Sequence, residues 1–247
     1  MKATRMCIVL LLFSLLVTMG FMVNDSQQIG RINFILGTRG DVKINRAGDS
    51  QWKYARLFSP VYDGDRLKTM RESRCEIKLQ KKGVIRVGEN ADFTLCYHPT
   101  QKKSSSILRK GRFWASIKGL FSKRRFFIRT PTAVCAVRGT VYRIDADSTT
   151  KVCVYDGAVD VGPVWLATGD STRAKQSVEV QKPMEVPGPT EVPGPFEVSL
   201  DQWIQIVAGY QIEVRADGKY YKSKIDKKRD EDDDWVKWNK MRDEGKY

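Results

Sequence analysis

Histidine is almost absent from this sequence: His98 is the only one in 247 residues. That scarcity removes the commonest general acid or base and the commonest metal ligand. His98 adjoins Pro99 in a basic, polar stretch and reads as a surface-loop residue. Cys96 or Cys135 could partner it as a nucleophile by count alone, but no spacing brings either to it. Cysteine is sparse as well. Cys75, Cys96, Cys135 and Cys153 lie singly in apolar runs, none in a Cys-x-x-Cys spacing, so neither a metal cluster nor a thioredoxin-type motif is expected. They suit disulfides in an oxidising compartment and buried free thiols equally well. Asp145-x-Asp147 and the acidic run Asp230 to Asp234 lack the glycine and distal glutamate of a calcium loop, and the run reads as a solvated helix cap. No metal, cofactor or small-molecule substrate follows, and the chain is not expected to be an enzyme.

Acidic residues are missing from one long stretch. Between Phe93 and Ile144 there is no Asp or Glu but there are twelve Lys and Arg, in a chain whose net charge is +14. Such a concentration makes a positive face that attracts polyanions, although a solvated basic surface with no partner has the same composition. Cations and aromatics interleave most closely from Arg112 to Arg125. Arg112, Trp114, Lys118, Phe121, Lys123, Arg124 and Arg125 are therefore the expected contact loop.

Long apolar runs are absent except at the start. Lys2 and Arg5 precede Met6 to Val23, a positive segment followed by an apolar one, which is the pattern of an export signal. At 18 residues the run is also near the shortest length that spans a bilayer. Residues 1–23 thus read as a signal peptide or an N-terminal membrane anchor, and Cys7 lies too early for a lipoprotein. The remainder is expected outside the inner membrane, in the periplasm, anchored by residues 6–23 if the segment is retained. Nucleic acid is not an expected partner there. Envelope polymer, anionic lipid or another envelope protein is.

From Ile29 to Val161 short alternating runs are punctuated by turn residues, with no sustained helical period, which predicts an all-β sandwich, barrel or stacked β architecture. Cys75 to Leu79 and Val84 to Val87 form a hairpin about Lys81-Lys82-Gly83. The stretch Arg129 to Ile144 reads as one buried strand that begins near Pro131 and is interrupted at Gly139. Arg138, inside it, is expected to pair with a turn carboxylate such as Asp63, Asp65 or Asp156, because an unpaired buried charge is costly. Of nine prolines, five lie between Pro183 and Pro195, marking residues 163–199 as a Pro/Gly-rich connection. Residues 200–247 read as further strands around Ala208-Gly209 and a short helix after Asp232, with Trp235, Trp238 and Met241 on one face, docked on the main β unit.

In order, Tyr62-Asp63-Gly64-Asp65-Arg66-Leu67-Lys68-Thr69, Thr130-Pro131, Val137-Arg138-Gly139-Thr140 and Tyr155-Asp156-Gly157-Ala158-Val159 resemble the FecR domain, the extracytoplasmic β domain named after the ferric-citrate signalling regulator. The resemblance covers about residues 35–162, within a β domain bounded at residues 30–162, and implies a FecR-like all-β sandwich or stacked β fold with no catalytic residues. It makes Thr130, Pro131, Arg138, Gly139, Thr140, Asp156 and Gly157 structural positions. Regulators of that family carry a cytoplasmic segment that handles a sigma factor. Only Met1 to Arg5 precede the apolar run here, so that activity is not expected from this chain. The implied role is a non-enzymatic binding or scaffold module of the cell envelope; the alternative is the extracytoplasmic part of FecR-type transmembrane signalling, with the cytoplasmic half supplied by a partner.

Overall fold

The structure is a computed structural model that describes residues 28–80, 83–96, 105–117, 126–137, 139–164, 198–199 and 202–245. The apolar run 6–23 and the proline repeat lie outside these residues. The strands in chain order begin with β1 (Gln28–Leu36), β2 (Val42–Asn45), β3 (Trp52–Tyr54), β4 (Pro60–Tyr62), β5 (Arg66–Thr69), β6 (Arg74–Leu79), β7 (Gly83–Val87), β8 (Asp92–Thr94) and β9 (Ser105–Ile117). They continue with β10 (Phe126–Arg129), β11 (Val134–Val137), β12 (Val141–Ala146), β13 (Thr150–Asp156), β14 (Ala158–Gly162), β15 (Val198–Ser199), β16 (Ile204–Val207), β17 (Tyr210–Val214) and β18 (Lys219–Lys224). Two short helices follow, α1 (Lys227–Asp232) and α2 (Asp234–Asp243).

The strands form two open sheets. Sheet A runs β4-β1-β6-β7-β9-β12-β13-β17-β18-β15, antiparallel throughout. Sheet B runs β3-β2-β5-β8-β9-β10-β11-β14-β16, antiparallel except where β10 lies parallel to β9. β9 belongs to both sheets. Ile107 and Leu108 pair with β8 in sheet B, whereas Phe113 to Ile117 pair with β7 in sheet A. The strand changes sheet at Gly111, whose φ is +101°, a conformation open mainly to glycine. A Cβ on Gly111 would lie 2.3 Å from the Ala91 Cβ, so the bend also needs the missing side chain.

Alternation along each strand sends one set of side chains between the sheets. Phe113, Ala115 and Ile117 of β9, Tyr142 and Ile144 of β12, and Ile85 and Val87 of β7 meet Phe93, Leu108, Ile128 and Val137 from sheet B in one core. The Phe93 and Phe113 rings, from opposite sheets, lie 5.1 Å apart.

The Arg129 to Ile144 stretch is not one strand. β11 ends at Val137 in sheet B and β12 starts at Val141 in sheet A, so Gly139 stands at a corner between the sheets. A sequence reading sees two adjacent apolar runs and cannot see that they pair in different sheets. The return corner, between β13 and β14, fits against the first: a Cβ on Gly157 would come within 2.7 Å of the Thr140 Cγ2. Thr130 is buried, and its Oγ1 accepts from the Ala133 N–H at 3.0 Å and lies 2.7 Å from the Thr150 Oγ1. Pro131 and Asp156 are exposed.

The C-terminal strands do not form a separate layer. β16 lengthens sheet B beyond β14, and β17 lengthens sheet A beyond β13. The chain then crosses the outer face of sheet A as α1 and α2.

Candidate functional site

Antiparallel register places one side chain from each of eight strands in a single row across the outer face of sheet A: Phe34, Glu76, Arg86, Trp114, Arg143, Cys153, Gln211 and Ser223. Neighbours in this row interact directly. Arg86 Nε donates to Glu76 at 2.7 Å, Arg143 Nη2 to the Cys153 Sγ at 3.4 Å, and Gln211 Nε2 to the Ser223 Oγ at 3.1 Å. Charges of this density could not be buried unless the helix pair supplied counter-charges.

It does. Asp233 caps α2 by accepting from the N–H groups of Trp235 (2.9 Å) and Val236 (3.3 Å), and it also receives Arg112 Nη2 at 2.5 Å. Asp230 accepts from Arg143 Nη1 at 3.1 Å, the Tyr155 hydroxyl at 2.8 Å and Lys240 Nζ at 3.1 Å. Asp243 takes Arg86 Nη1 at 2.6 Å and the Trp114 Nε1 at 3.0 Å. Arg242 returns the charge, donating to Glu76 from Nε (2.8 Å) and Nη2 (3.1 Å). Trp114, Trp235, Val236 and Trp238 close an apolar patch among these pairs, with Trp114 stacked on Tyr155 at 4.7 Å. Met241, expected on the same face, is exposed.

Burial by itself would raise the Glu76 carboxyl. Donation from Arg242, Arg86 and Asn33 outweighs it and holds the pKa at about 2. The same competition lowers Asp233, with Arg112 as the main partner against burial. Burial pushes the Cys135 thiol up to about 12 and the Cys153 thiol up to about 11, and it raises Cys75 and Cys96 as well. A thiol in this state is no nucleophile near neutral pH. Beside Cys153 a polar cavity of about 160 Å³ is lined by Arg143, Asp145, Lys151, Gln211, Arg229 and Asp230, among others. Arg143, Asp145 and Asp230 in its walls are held in ion pairs, which suits a clamp better than a reaction centre.

Arg112 and Trp114, expected on a contact loop, therefore lie beneath the C-terminal helices. Alternation puts both on the outer face of β9, but their cover comes from residues more than a hundred positions later and leaves no local signal. The acidic run is only partly solvated: Glu231, Asp232 and Asp234 are exposed, but Asp230 is buried, and Asp233, which caps α2, is engaged by Arg112. The one sequence signal was complementarity between that run and the acid-free stretch before Ile144. His98, Lys118, Phe121, Lys123, Arg124, Arg125 and Arg138 lie outside the described residues. Of the carboxylates proposed for Arg138, Asp65 is bound to Arg46. Cys75, Cys96, Cys135 and Cys153 are all free, which removes the disulfide alternative from this structure.

A second basic region does face solvent. Around β2 and β3 lies an open groove of about 1020 Å³ whose lining includes Arg39, Lys43, Arg46, Lys53 and Arg56, with Trp52, Tyr54 and Leu57, and no carboxylate. Asp49 pairs with Lys53 at 3.0 Å and Asp65 with Arg46. Arg39 lies over the Tyr54 ring at 5.9 Å, and no carboxylate among the described residues engages Lys43 or Arg56. Sequence alone does not single out the groove. The signal was present, since cations alternate with aromatics from Arg39 to Phe58 much as they do from Arg112 to Arg125.

Residues 65–160 match the FecR protein family. The chain carries a FecR domain. That domain runs from the turn before β5 through β14 and includes Glu76, Arg86, Trp114, Arg143 and Cys153. The strands carrying the groove precede it, and the helix pair over the row follows it. FecR proteins are signalling-related and of extracytoplasmic type, and the chain is similar to them over residues 65–160. Among the described residues no helix is long and apolar enough to cross a membrane. No curated protein matches the chain. Two crystal structures of a "putative anti-sigma factor" from Parabacteroides distasonis, at 1.65 and 2.50 Å resolution, are similar in shape, with 13% identity and a TM-score of 0.44. Each match covers 64% of this chain and spans 59% of that one.

Proposed function

We propose that the chain is a non-catalytic FecR-type module of the cell envelope that works by contact, and that the groove around β2 and β3 is its binding surface for an anionic envelope component. The observation that carries this reading is the contrast between two basic regions. Arg86, Arg112 and Arg143 on sheet A are neutralised by the protein's own aspartates and glutamate, whereas Arg39, Lys43 and Arg56 line an open groove with no carboxylate in its walls. Exposed cations clustered in this way attract polyanions and lose that attraction as salt rises.

Retention on purified envelope fractions tests it. Wild-type chain should be retained at low salt and released near ~1 M, where screening acts over about 3 Å. The triple variant R39E/K43E/R56E should be retained about tenfold less at low salt, while K123E/R124E/R125E should lose less. Retention of the groove triple at the wild-type level would reject the reading. The FecR match favours a second role, the extracytoplasmic part of FecR-type signalling with a membrane-spanning partner; the same experiment would support it if a protein complex survived the high-salt wash.

A further inference from the structure

Phe58 has φ +63°, the left-handed region, where a bulky side chain is uncommon and costs conformational energy. Its backbone is fixed there. The Phe58 N–H donates to the Ile32 carbonyl at 2.8 Å, the Ile32 N–H returns a bond to the Ser59 carbonyl at 2.9 Å, and Ser59 closes the turn onto the Arg56 carbonyl through N–H (3.1 Å) and Oγ (2.7 Å). The turn is thus bolted to β1, yet it presents its side chains outward: Phe58 is 63% exposed and Leu57 49%. Glycine would satisfy the backbone at no steric cost. An exposed Phe in its place needs a reason outside the fold.

The basic groove adjoins this turn, and Leu57 and Arg56 are among its lining residues. We infer that the groove's ligand is an anionic lipid surface, with Leu57 and Phe58 entering the boundary between headgroups and acyl chains while Arg39, Lys43 and Arg56 meet the lipid phosphates. This rests on the groove being the binding surface. A soluble acidic polymer satisfies the cations but offers no apolar phase for two exposed side chains, whereas an anionic bilayer offers both within a few ångströms. The chain's layout agrees. Four residues separate Val23, the end of the apolar run, from Gln28, and Ile32 lies about 13 Å along β1 from Gln28 at ~3.3 Å per residue. If the run is a retained anchor, it holds the turn within reach of its own bilayer.

The test uses the full chain with three probes: vesicles containing phosphatidylglycerol, vesicles of phosphatidylcholine alone, and soluble polygalacturonate. In F58W, fluorescence beyond that of wild type should be quenched by brominated acyl chains in the anionic vesicles and not in the neutral ones. F58G should bind anionic vesicles about tenfold more weakly, since burying a Phe is commonly worth that factor or more. Its Tm should stay level or rise by about 2–4 °C, because the left-handed strain is relieved. A merely structural Phe58 would show neither weaker binding nor a maintained Tm. Absence of quenching in anionic vesicles, with polygalacturonate still bound through the groove cations, would overturn the lipid inference and leave the groove reading intact. Equal quenching in neutral vesicles would overturn the role given to the cations. Binding to neither anionic probe at low salt would remove both.

Discussion

Replacing Gly111 with alanine is expected to destabilise the protein by about 2–5 kcal/mol, the sum of a left-handed backbone penalty of ~1–2 kcal/mol and an overpacking penalty of ~1–3 kcal/mol. The steric part comes from Ala91, whose Cβ and Cα would lie 2.3 and 2.5 Å from the new methyl group; the Cα is backbone, and the Cβ fixed to it has no rotamer by which to swing aside. β9 is the strand common to both sheets, so relief by straightening it would separate β8 from the β7 and β12 pairings. Against a total stability of roughly 5–15 kcal/mol the loss is large, and thermal unfolding should fall by about 10 °C. Gly209→Ala is the control. Its φ is +84° but no atom lies within 4 Å of the new position, so only the backbone penalty of about 1–2 kcal/mol applies. Equal effects at the two positions would show that the steric contact at Ala91 is not what fixes the bend.

Glu76→Gln is expected to cost about 3 kcal/mol, near the low end for a broken buried ion pair, because Arg86 keeps Asp243 as a second partner. Glu76 links three elements: Asn33 of β1 donates at 2.7 Å, Arg86 of β7 at 2.7 Å and Arg242 of α2 at 2.8 Å. The wild-type protein should show the same linkage in its acid response. A carboxyl held at about 2 in the fold, against an ordinary 4.5, contributes stability that is complete above pH 4.5 and is lost as pH falls towards 2. Over that interval the loss is about 3 kcal/mol, at 1.36 kcal/mol per pH unit. Urea unfolding at pH 7, 4.5 and 3, followed by tryptophan fluorescence, should show wild type converging on E76Q as the solution is acidified. A constant gap between them would mean that Glu76 is not the titrating link.

Much of the fold is legible in the sequence where burial follows local alternation. Arg66 to Thr69, Cys75 to Leu79, the hairpin after it, and Val152 to Tyr155 carry their inward and outward faces in the order of their residues. What is not legible is which sheet each strand joins, because that choice is made by partners distant in sequence. Val134 to Val137 and Val141 to Ile144 look like one strand for this reason. The clamp is harder still. Nothing near Arg112 or Trp114 announces an acidic helix more than a hundred residues away, and a basic aromatic segment free to bind polymer looks the same as one neutralised internally. The groove had a local signal, cations interleaved with aromatics from Arg39 to Phe58, but its short polar runs lacked the dense positive charge that draws attention to residues 112–125.

Contact is proposed at the groove and not at the arginine row beneath the helix pair. Amide hydrogen exchange of the full chain, with and without washed envelope vesicles at low salt, tests it most directly, since protection on binding reports where surface is covered. New protection is expected between Arg39 and Ser59, absent in R39E/K43E/R56E, with the exchange of β7, β9, β12 and α2 unchanged. Protection that left the Arg39 to Ser59 segment untouched and appeared instead across Arg86, Trp114 and Arg143 would contradict it.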